Sequence, residues 1–241
     1  MSDIARLVLK LSARDAINAE EEQALSEAAG GTSTYEPGEE IVREGVPQTL
    51  SRLLVEGIVA RMKLMADGRR QITELHIPGD FVDLHSFLLK RLDHDVVAVT
   101  RVRLLNFPHE GLRRITESRP HLTRLLWLNT VLDGAGHREW IVSAGRRTAI
   151  EHLANLFCEL LVRYRVVEMS DGRSCPLPLT QQQLADACGL TPVHVNRVVQ
   201  DLRADGLIEW RGGELVVADF DRLAALGQFD PAFLNLVREP R

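Results

Sequence analysis

The sequence predicts an α+β protein in which an N-terminal antiparallel β-roll is followed by one long helix and a C-terminal winged helix-turn-helix. Three patterns support this prediction. Short apolar runs alternate with glycine and proline turns between residues 35 and 107, as in antiparallel β structure. A heptad-like helical pattern covers residues 120–144. Two short capped helices and an apolar hairpin then follow between residues 180 and 217.

Length and composition set the bounds of this prediction. A chain of 241 residues with 45% hydrophobic and 26% charged residues has room for two globular domains, each with its own core. No apolar run approaches the length of about 18 residues that a membrane span needs. The N-terminus lacks the long apolar segment of a secretion signal, so we expect a cytoplasmic protein that does not enter a membrane.

The three cysteines are Cys158, Cys175 and Cys188. They are odd in number and widely spaced, which argues against a disulfide framework or a zinc site. Cys158 and Cys188 lie on apolar helix faces, so we expect these two to pack in the core, and we expect no metal site.

The first predicted domain covers residues 1–118. Residues 4–29 have the apolar spacing of a helix and end at Gly30-Gly31. Strand patterns separated by turns such as Pro78-Gly79-Asp80 follow. The expected strands are 40–42, 51–55, 58–65, 71–77, 96–99 and 103–107.

A helical pattern over residues 119–144 connects this domain to the next. Gly134 and Gly136 weaken it, because each costs about 1 kcal/mol of helix stability relative to alanine. The helix is either a core helix or a dimer coil, and we favour the coil because it connects two domains. The apolar seam expected at heptad positions a and d consists of Leu125, Leu128, Leu132, Ala135 and Val142.

The second domain is predicted for residues 145–219 and begins with an amphipathic helix over residues 146–165. The apolar runs 206–210 and 214–217 flank a glycine pair, which indicates a hairpin and therefore a wing. Residues 220–241 are expected to form a C-terminal helix and tail.

Within this domain, local signals mark two helix starts and one helix end. Thr180 and Gln183 form a capping box, and Gly189 stands where a helix end often needs a left-handed residue. Thr191 followed by Pro192 marks the second start. Two short helices joined by a glycine turn predict a helix-turn-helix, and an ordinary helical hairpin is the alternative.

The second of these helices is predicted to bury one side and to expose the other. The buried stripe consists of Val195, Val198, Val199 and Leu202. The exposed positions include an arginine, which binds guanine in the major groove, and amide side chains, which bind adenine. The predicted DNA-binding residues are Thr180, Gln181, Gln182, Thr191, Pro192, Val193, His194, Asn196, Arg197 and Gln200.

A net charge of −5 does not exclude DNA binding, because phosphate contact needs only a local basic surface. The arginines expected to supply this surface are Arg146, Arg147, Arg163, Arg165, Arg173, Arg197, Arg203 and Arg211.

The order of these parts resembles the Crp/Fnr superfamily of bacterial transcription regulators, over about residues 35–217. The β-roll matches it in Tyr35-Glu36-Pro37-Gly38-Glu39, in Glu56-Gly57-Ile58-Val59 and in Ile77-Pro78-Gly79-Asp80-Phe81. The second domain matches it over residues 179–185 and 189–197.

The resemblance implies a cyclic-nucleotide-binding-like roll and a homodimer formed through the long helix. It also implies two recognition helices about one DNA turn apart, and RNA polymerase as a partner. Arg197 matches the family's guanine-reading arginine, and Thr180 and Gln182 match positions that contact phosphates. Val193 stands where better-known members often have glutamate, so we expect a different operator there, with Val193 packed against a thymine methyl group.

The sequence departs from two well-known groups of this family at the residues that bind their effectors. Members that bind cyclic AMP hold its phosphate with a Gly-Glu-Leu turn and an Arg-Ser pair, whereas three carboxylates in the matching segments of this chain are expected to repel a phosphate. Members that sense oxygen hold an iron–sulfur cluster on N-terminal cysteines, and no cysteine here precedes Cys158. We therefore expect neither cofactor. The effector pocket predicted at these segments consists of Asp83, Leu84, His85, Asp93, His94 and Asp95.

A metal or cationic-ligand site in this Asp/His set is one hypothesis, and a solvated loop is the other. For the whole chain we predict a sequence-specific transcription regulator that is not an enzyme and binds a palindromic promoter site as a homodimer, with an unidentified effector or none. The first alternative is a small-ligand-binding module whose C-terminal domain mediates protein contacts. A more remote alternative is a catalytic barrel of the cupin type.

Overall fold

The computed structural model describes residues 2–241, which form two compact units. The first unit contains the chain up to Lys63 together with Glu74–Gly134 and Asn235–Arg241, and the second contains Leu64–Thr73 and Ala135–Leu234. The α+β architecture is confirmed: antiparallel strands come first, a long helix follows, and a winged helix-turn-helix comes last. Within residues 2–241, no helix has the length and hydropathy needed to cross a membrane.

Seven strands form the β-roll. They are β1 (Thr32–Tyr35), β2 (Glu40–Val42), β3 (Leu50–Glu56), β4 (Val59–Leu64), β5 (Arg70–His76), β6 (Asp95–Ala98) and β7 (Val102–Pro108). One sheet has the order β1-β7-β3 and the other the order β2-β6-β4-β5. Six strands lie where the sequence predicts them. Strand β1 was missed because its residues are Thr-Ser-Thr-Tyr, which show no apolar alternation.

Four helices belong to the same unit: α1 (Ala5–Ser12), α2 (Ala19–Ala28), α3 (Ser86–Leu89) and α4 (His109–Ser118). Apolar side chains of α1, α2 and α4 share one buried cluster with Leu53 and Phe107 of the β-roll. Helix α4 comes so close to α2 that a Cβ atom at Gly111 would lie 2.6 Å from the carbonyl oxygen of Ala28. This contact therefore requires glycine at position 111.

The helical spacing of residues 4–29 corresponds to two helices rather than one. Asn18 interrupts it, because its Oδ1 accepts the backbone N–H of Glu21 at 2.9 Å while Oε2 of Glu21 accepts the N–H of Asn18 at 3.1 Å. A capping box of this kind favours a new helix start. Apolar periodicity alone does not reveal such a break.

The long helix, α5 (Pro120–Arg146), is continuous through Gly134. Leu122, Leu125 and Leu126 belong to the core of the first unit. The prediction that Leu125 lies in a dimer seam is wrong, because this side chain is 0% exposed within its own chain. The other four seam positions are half-buried or exposed: Leu128, Leu132, Ala135 and Val142.

The second unit is built around α6 (Ala149–Val166). A capping box between Thr148 and Glu151 starts this helix, and its buried residues include Leu153 and Phe157. The other elements are α7 (Gln181–Cys188), α8 (Pro192–Ala204), α9 (Phe220–Gly227), a 3-10 helix (Pro231–Leu234), β8 (Ser174–Pro176), β9 (Ile208–Arg211) and β10 (Glu214–Val217). The three strands form a sheet in the order β8-β10-β9, of which only the three-residue β8 was not predicted.

The compact units divide the chain differently from the domain boundaries predicted at residues 118, 144 and 219. The division falls inside α5, between Gly134 and Ala135, and α9 packs on α6 within the second unit. Residues 64–73, from the last residue of β4 to the middle of β5, belong to the second unit, and the tail 235–241 belongs to the first. Compact units follow side-chain packing, which a boundary drawn at a change of sequence pattern does not detect.

His121, in the first turn of α5, lies between two carboxylates of the first unit. Its Nδ1 is 2.6 Å from Oε1 of Glu21, and its Nε2 is 3.0 Å from Oδ2 of Asp15. Asp15 also accepts the backbone N–H of Arg241 in the C-terminal tail at 2.5 Å. The hydrogen bonds to Asp15 and Glu21 raise the pKa of His121 above its ordinary value of 6.5. Folding therefore favours the charged imidazolium.

We expect the stabilisation that His121 contributes to be lost at alkaline pH. A histidine whose pKa is raised by folding contributes its full stabilisation below its unfolded pKa of 6.5 and loses it as the pH rises through the raised folded pKa. Urea unfolding of the wild type and of H121Q, measured from about pH 5.5 to 8.5, should give a free-energy difference that is largest at the acid end. A difference that does not change with pH would contradict this assignment.

Candidate DNA interface

The first helix of the helix-turn-helix, α7, starts and ends where the sequence predicts. Oγ1 of Thr180 accepts the backbone N–H of Gln183 at 3.1 Å, and Oε1 of Gln183 accepts the N–H of Thr180 at 2.8 Å. The helix ends at Gly189, whose φ of +66° lies in the left-handed region. A residue with a Cβ atom would be strained there, so local chemistry fixes the turn.

The second helix, α8, starts at a cap formed by Thr191, whose Oγ1 accepts the N–H of His194 at 3.2 Å. Ala185 of α7 is fully buried and supplies the small side chain that a close helix pair needs. One side of α8 packs against α6 and α7 through Val195, Val198, Val199 and Leu202. The predicted buried stripe is confirmed, and the opposite side of α8 is thereby held in a fixed orientation.

That opposite side faces solvent. Val193 is 81% exposed, and Arg197 and Gln200 are exposed as well. On α8, the half-buried positions of the predicted set are Pro192, His194 and Asn196. Across residues 2–241, Arg197 has no hydrogen-bonding or ion-pair partner. Its guanidinium group is therefore available to a ligand.

The start of α7 contributes the rest of the predicted set. Thr180 and Gln182 are exposed, and Gln181 is half-buried. The amide of Gln182 donates to Oδ1 of Asp186 at 2.7 Å. A phosphate contact by Gln182 would have to replace that bond, whereas the positive end of α7 is available without rearrangement.

The wing is the hairpin of β9 and β10. Its turn residues, Gly212 and Gly213, have φ of +63° and +80°, which favours glycine at both positions. Nε1 of Trp210 donates to the carbonyl oxygen of Leu177 at 2.9 Å and ties the wing to the segment before α7. A cavity of about 240 Å³ lies between α8 and the wing, and its lining includes Gln181, Gln200, Arg203 and Arg211.

Residues 64–73 add contacts that the sequence did not predict. Arg70 pairs with Asp186 of α7 at 2.9 Å, and Nε2 of Gln71 donates to the carbonyl oxygen of Ala187 at 3.2 Å. The second contact satisfies one of the carbonyls left without a helical partner at the end of α7. More than a hundred residues separate the partners in sequence, so no local signal could have indicated these contacts.

The basic surface is smaller than the number of predicted arginines suggests. Arg147 pairs with Glu139 at 2.7 Å and Arg163 pairs with Glu159 at 2.8 Å. Arg203 and Arg211 share Glu209, at 3.4 and 3.0 Å. The remaining four arginines of the set are exposed: Arg146, Arg165, Arg173 and Arg197. Four of the eight predicted arginines are thus paired within the unit, with three carboxylates between them.

The predicted effector pocket does not form as a single site. Asp83 is fully buried and its Oδ2 pairs with Arg52 at 2.5 Å, while burial raises the pKa of its carboxyl. Leu84 belongs to the apolar core. Asp93 is 88% exposed, and Oδ1 of Asp95 accepts the backbone N–H of Glu44 at 2.8 Å. The three carboxylates face different surroundings and do not form one acidic cluster.

Three side chains of that set come together, because Nδ1 of His94 lies 2.9 Å from Oδ1 of Asp93 and the His94 ring lies next to the ring of His85. The rings of His85 and His94 are 5.3 Å apart, and burial lowers the pKa of His85 to about 3. Nε2 of each ring is buried without a hydrogen-bonding partner among the described residues. Within residues 2–241, no three His, Cys, Asp or Glu side chains are grouped so that they could hold a metal ion.

Arg61 is a buried charged residue of the β-roll that the sequence analysis did not single out. It is 2% exposed and pairs with Glu74 at 2.5 Å and with Asp133 of α5 at 3.1 Å. Its Nε donates to the carbonyl oxygen of Val82 at 2.9 Å. Arginine with two carboxylates from distant positions is a pattern that becomes visible only once the chain is folded.

Two family models match the chain. The model of a cyclic nucleotide-binding domain matches residues 32–119, and the model of a Crp-like helix-turn-helix domain matches residues 151–226. The first match covers the β-roll together with α3 and α4, and the second covers α6 to α9.

Known proteins resemble the chain over most of its length. The transcriptional activator protein FnrL of Cereibacter sphaeroides is 30% identical, with 79% of this chain and 77% of that protein covered. The nitrogen fixation regulation protein FixK of Bradyrhizobium diazoefficiens is 31% identical, with 80% of each covered. Among solved structures, FixK2 from Bradyrhizobium japonicum has a TM-score of 0.74 at 27% identity and covers 82% of this chain and 96% of its own.

Proposed function

The chain belongs to the Crp/Fnr family of transcription regulators, and from that premise we propose that it binds a two-fold-symmetric promoter site as a homodimer. The observation that carries this proposal is the state of Arg197. It is exposed and unpaired among the described residues, on a helix whose other side is fully packed. A charged side chain presented in this way is suited to a partner outside the chain.

The exposed side of α8 has the residue types that bind base edges. Arg197 has the geometry for two parallel hydrogen bonds to guanine, and Asn196 and Gln200 have it for adenine. The phosphate backbone is contacted by the positive end of α7, with Thr180 and Gln182. Arg211 of the wing adds a second phosphate contact. The bases give specificity and the phosphates give affinity and register.

The dimer is proposed to form through α5. Trp127 and Ile141 occupy the same heptad position on this helix and are 69% and 70% exposed. Val131 and Val142, at 50% and 47%, extend the apolar stripe. Trp127, Val131 and Ile141 thus take the place of Leu125 in the proposed seam, and Val142 is retained from the predicted one. Large apolar side chains exposed along one helix are what a second copy of the same helix buries in a coiled coil.

Introducing charge into this stripe should separate the protomers. We expect Ile141→Asp to raise the dimer dissociation constant by at least about tenfold, because a carboxylate cannot be buried between two apolar helices without a partner. Analytical ultracentrifugation over a concentration series measures the change. Leu88→Asp is the matched control, because Leu88 is 78% exposed on α3, outside α5. Equal effects of the two substitutions would remove α5 as the interface.

RNA polymerase is the proposed protein partner, since FnrL is named as a transcriptional activator. We propose that the chain works in the cytoplasm, where bacterial promoters are found, and has no catalytic activity of its own. For the β-roll we propose an effector other than cyclic AMP or an iron–sulfur cluster, or none. Two arginines of the β-roll that could otherwise bind a phosphate, half-buried Arg52 and buried Arg61, are already paired with carboxylates. Micromolar binding of cyclic AMP by calorimetry would refute this part.

Selection of bound fragments from random DNA tests the central proposal. We expect a two-fold-symmetric sequence, and an affinity that falls steeply with salt because bound phosphates release counterions. The rival function is a ligand-binding module whose C-terminal domain contacts protein. That function predicts no enriched sequence and no counterion release. Adding cell extract to the selection supplies any missing effector.

A further inference from the structure

Val193 has the most exposed large apolar side chain within residues 2–241, at 81%. It is the second residue of α8, directly after Pro192. The helix start does not need it, because Thr191 supplies the cap and Pro192 has the backbone angle of a first helical residue. The core does not need it either, because the buried stripe lies on the opposite side of α8.

A branched apolar residue is a poor choice for an exposed position in a helix. Valine has a lower helix propensity than alanine, lysine or glutamine, and its side chain in water contributes no burial to folding. The surroundings within the unit therefore do not explain valine at this position. Contact with an apolar group outside the chain would explain it.

The position of Val193 relative to Arg197 indicates where that group lies. The two residues are four apart on α8, so their side chains are neighbours on the same face of the helix, with Cβ atoms about 5 to 6 Å apart. Successive base pairs are about 3.4 Å apart along the DNA axis. A helix that places Arg197 on a guanine therefore places Val193 over a base pair one or two steps away.

We propose that Val193 recognises the 5-methyl group of a thymine one or two base pairs from the guanine bound by Arg197. The thymine methyl is the only apolar group that unmodified base pairs present in the major groove. This inference rests on the proposed function and adds a chemical specification of the half-site. The same contact accepts 5-methylcytosine, which carries a methyl group at the equivalent ring position.

Replacing single thymines by deoxyuridine in the selected half-site tests the proposal, because this change removes only the methyl group. For the wild type we expect one position per half-site at which uracil weakens binding, by about fourfold for each buried methyl group. At that position, a cytosine should bind better when it is methylated at C5. V193A should bind the thymine and uracil sites equally while keeping its preference for the guanine.

Val46→Ala is the matched control, because it also truncates an exposed valine, which is 42% exposed and belongs to the first unit rather than to the helix-turn-helix. It should retain the full effect of uracil. Three results overturn the proposal: a wild type that tolerates uracil at every position, a V193A that remains as sensitive as the wild type, or a selected half-site without thymine near the guanine. Failure to select any sequence is a separate result that overturns the proposed function itself.

Discussion

Replacing Arg61 by methionine should destabilise the first unit by about 3 to 5 kcal/mol, the typical effect of removing one partner from a buried ion pair. Glu74 and Asp133 have side chains that are 12% and 14% exposed, and both pair with this guanidinium group. Burial works against the charge of Arg61, but the two carboxylates hold its pKa above the ordinary value. Without Arg61 the two carboxylates remain close together in a poorly hydrated environment. Urea unfolding followed by circular dichroism measures the loss.

Two further variants separate the charge from the packing. In R61M/E74Q/D133N no buried charge is left unpaired, so most of the lost stability should return. Arg61→Lys keeps the charge but cannot bind two carboxylates and the carbonyl oxygen of Val82 at once, so its stability should lie between those of the wild type and R61M. A triple variant no more stable than R61M would show that Arg61 acts through its apolar contacts instead.

The helix-turn-helix was predictable because its sequence signals are local. Thr180, Gly189 and Thr191 mark its two helices within a dozen residues, and each makes the hydrogen bond or adopts the backbone angle that the sequence implies. The six predicted strands of the β-roll were also predictable from local sequence, because an apolar run between two glycine turns is a pattern of adjacent residues. Strand β1 has no such pattern, and it forms because β7 offers it an edge with Thr32 opposite Leu105.

The errors concern residues whose surroundings come from distant parts of the chain. Leu125 fits a heptad seam, but apolar periodicity does not say whether the side chain faces a second copy or its own core. Asp83, Asp93 and Asp95 are close in sequence, yet one is buried beside Arg52, one is in solvent and one caps the backbone at Glu44. Nearness in sequence does not fix the direction of a side chain.

Replacing Arg197 by alanine should weaken binding to the selected DNA by about 1 to 3 kcal/mol for each half-site, the typical contribution of one bidentate contact between arginine and guanine. The proposed dimer would contact two half-sites, so the expected effect on the whole operator is about 2 to 6 kcal/mol for independent half-sites. The stability of the second unit should not change, because Arg197 has no partner in the described chain. Fluorescence anisotropy at fixed salt measures the affinity.

The decisive comparison is between lost specificity and lost charge. Arg197→Lys keeps the positive charge but lacks the planar fork that binds two acceptors of guanine. It should therefore approach the wild type on random DNA while losing most of the preference for guanine at one base pair per half-site. If Arg197 only contacted phosphate, its removal would weaken binding to selected and random DNA equally and reduce the salt dependence by about one counterion. That result would assign base recognition to other side chains of α8, with Asn196 and Gln200 as the next to test.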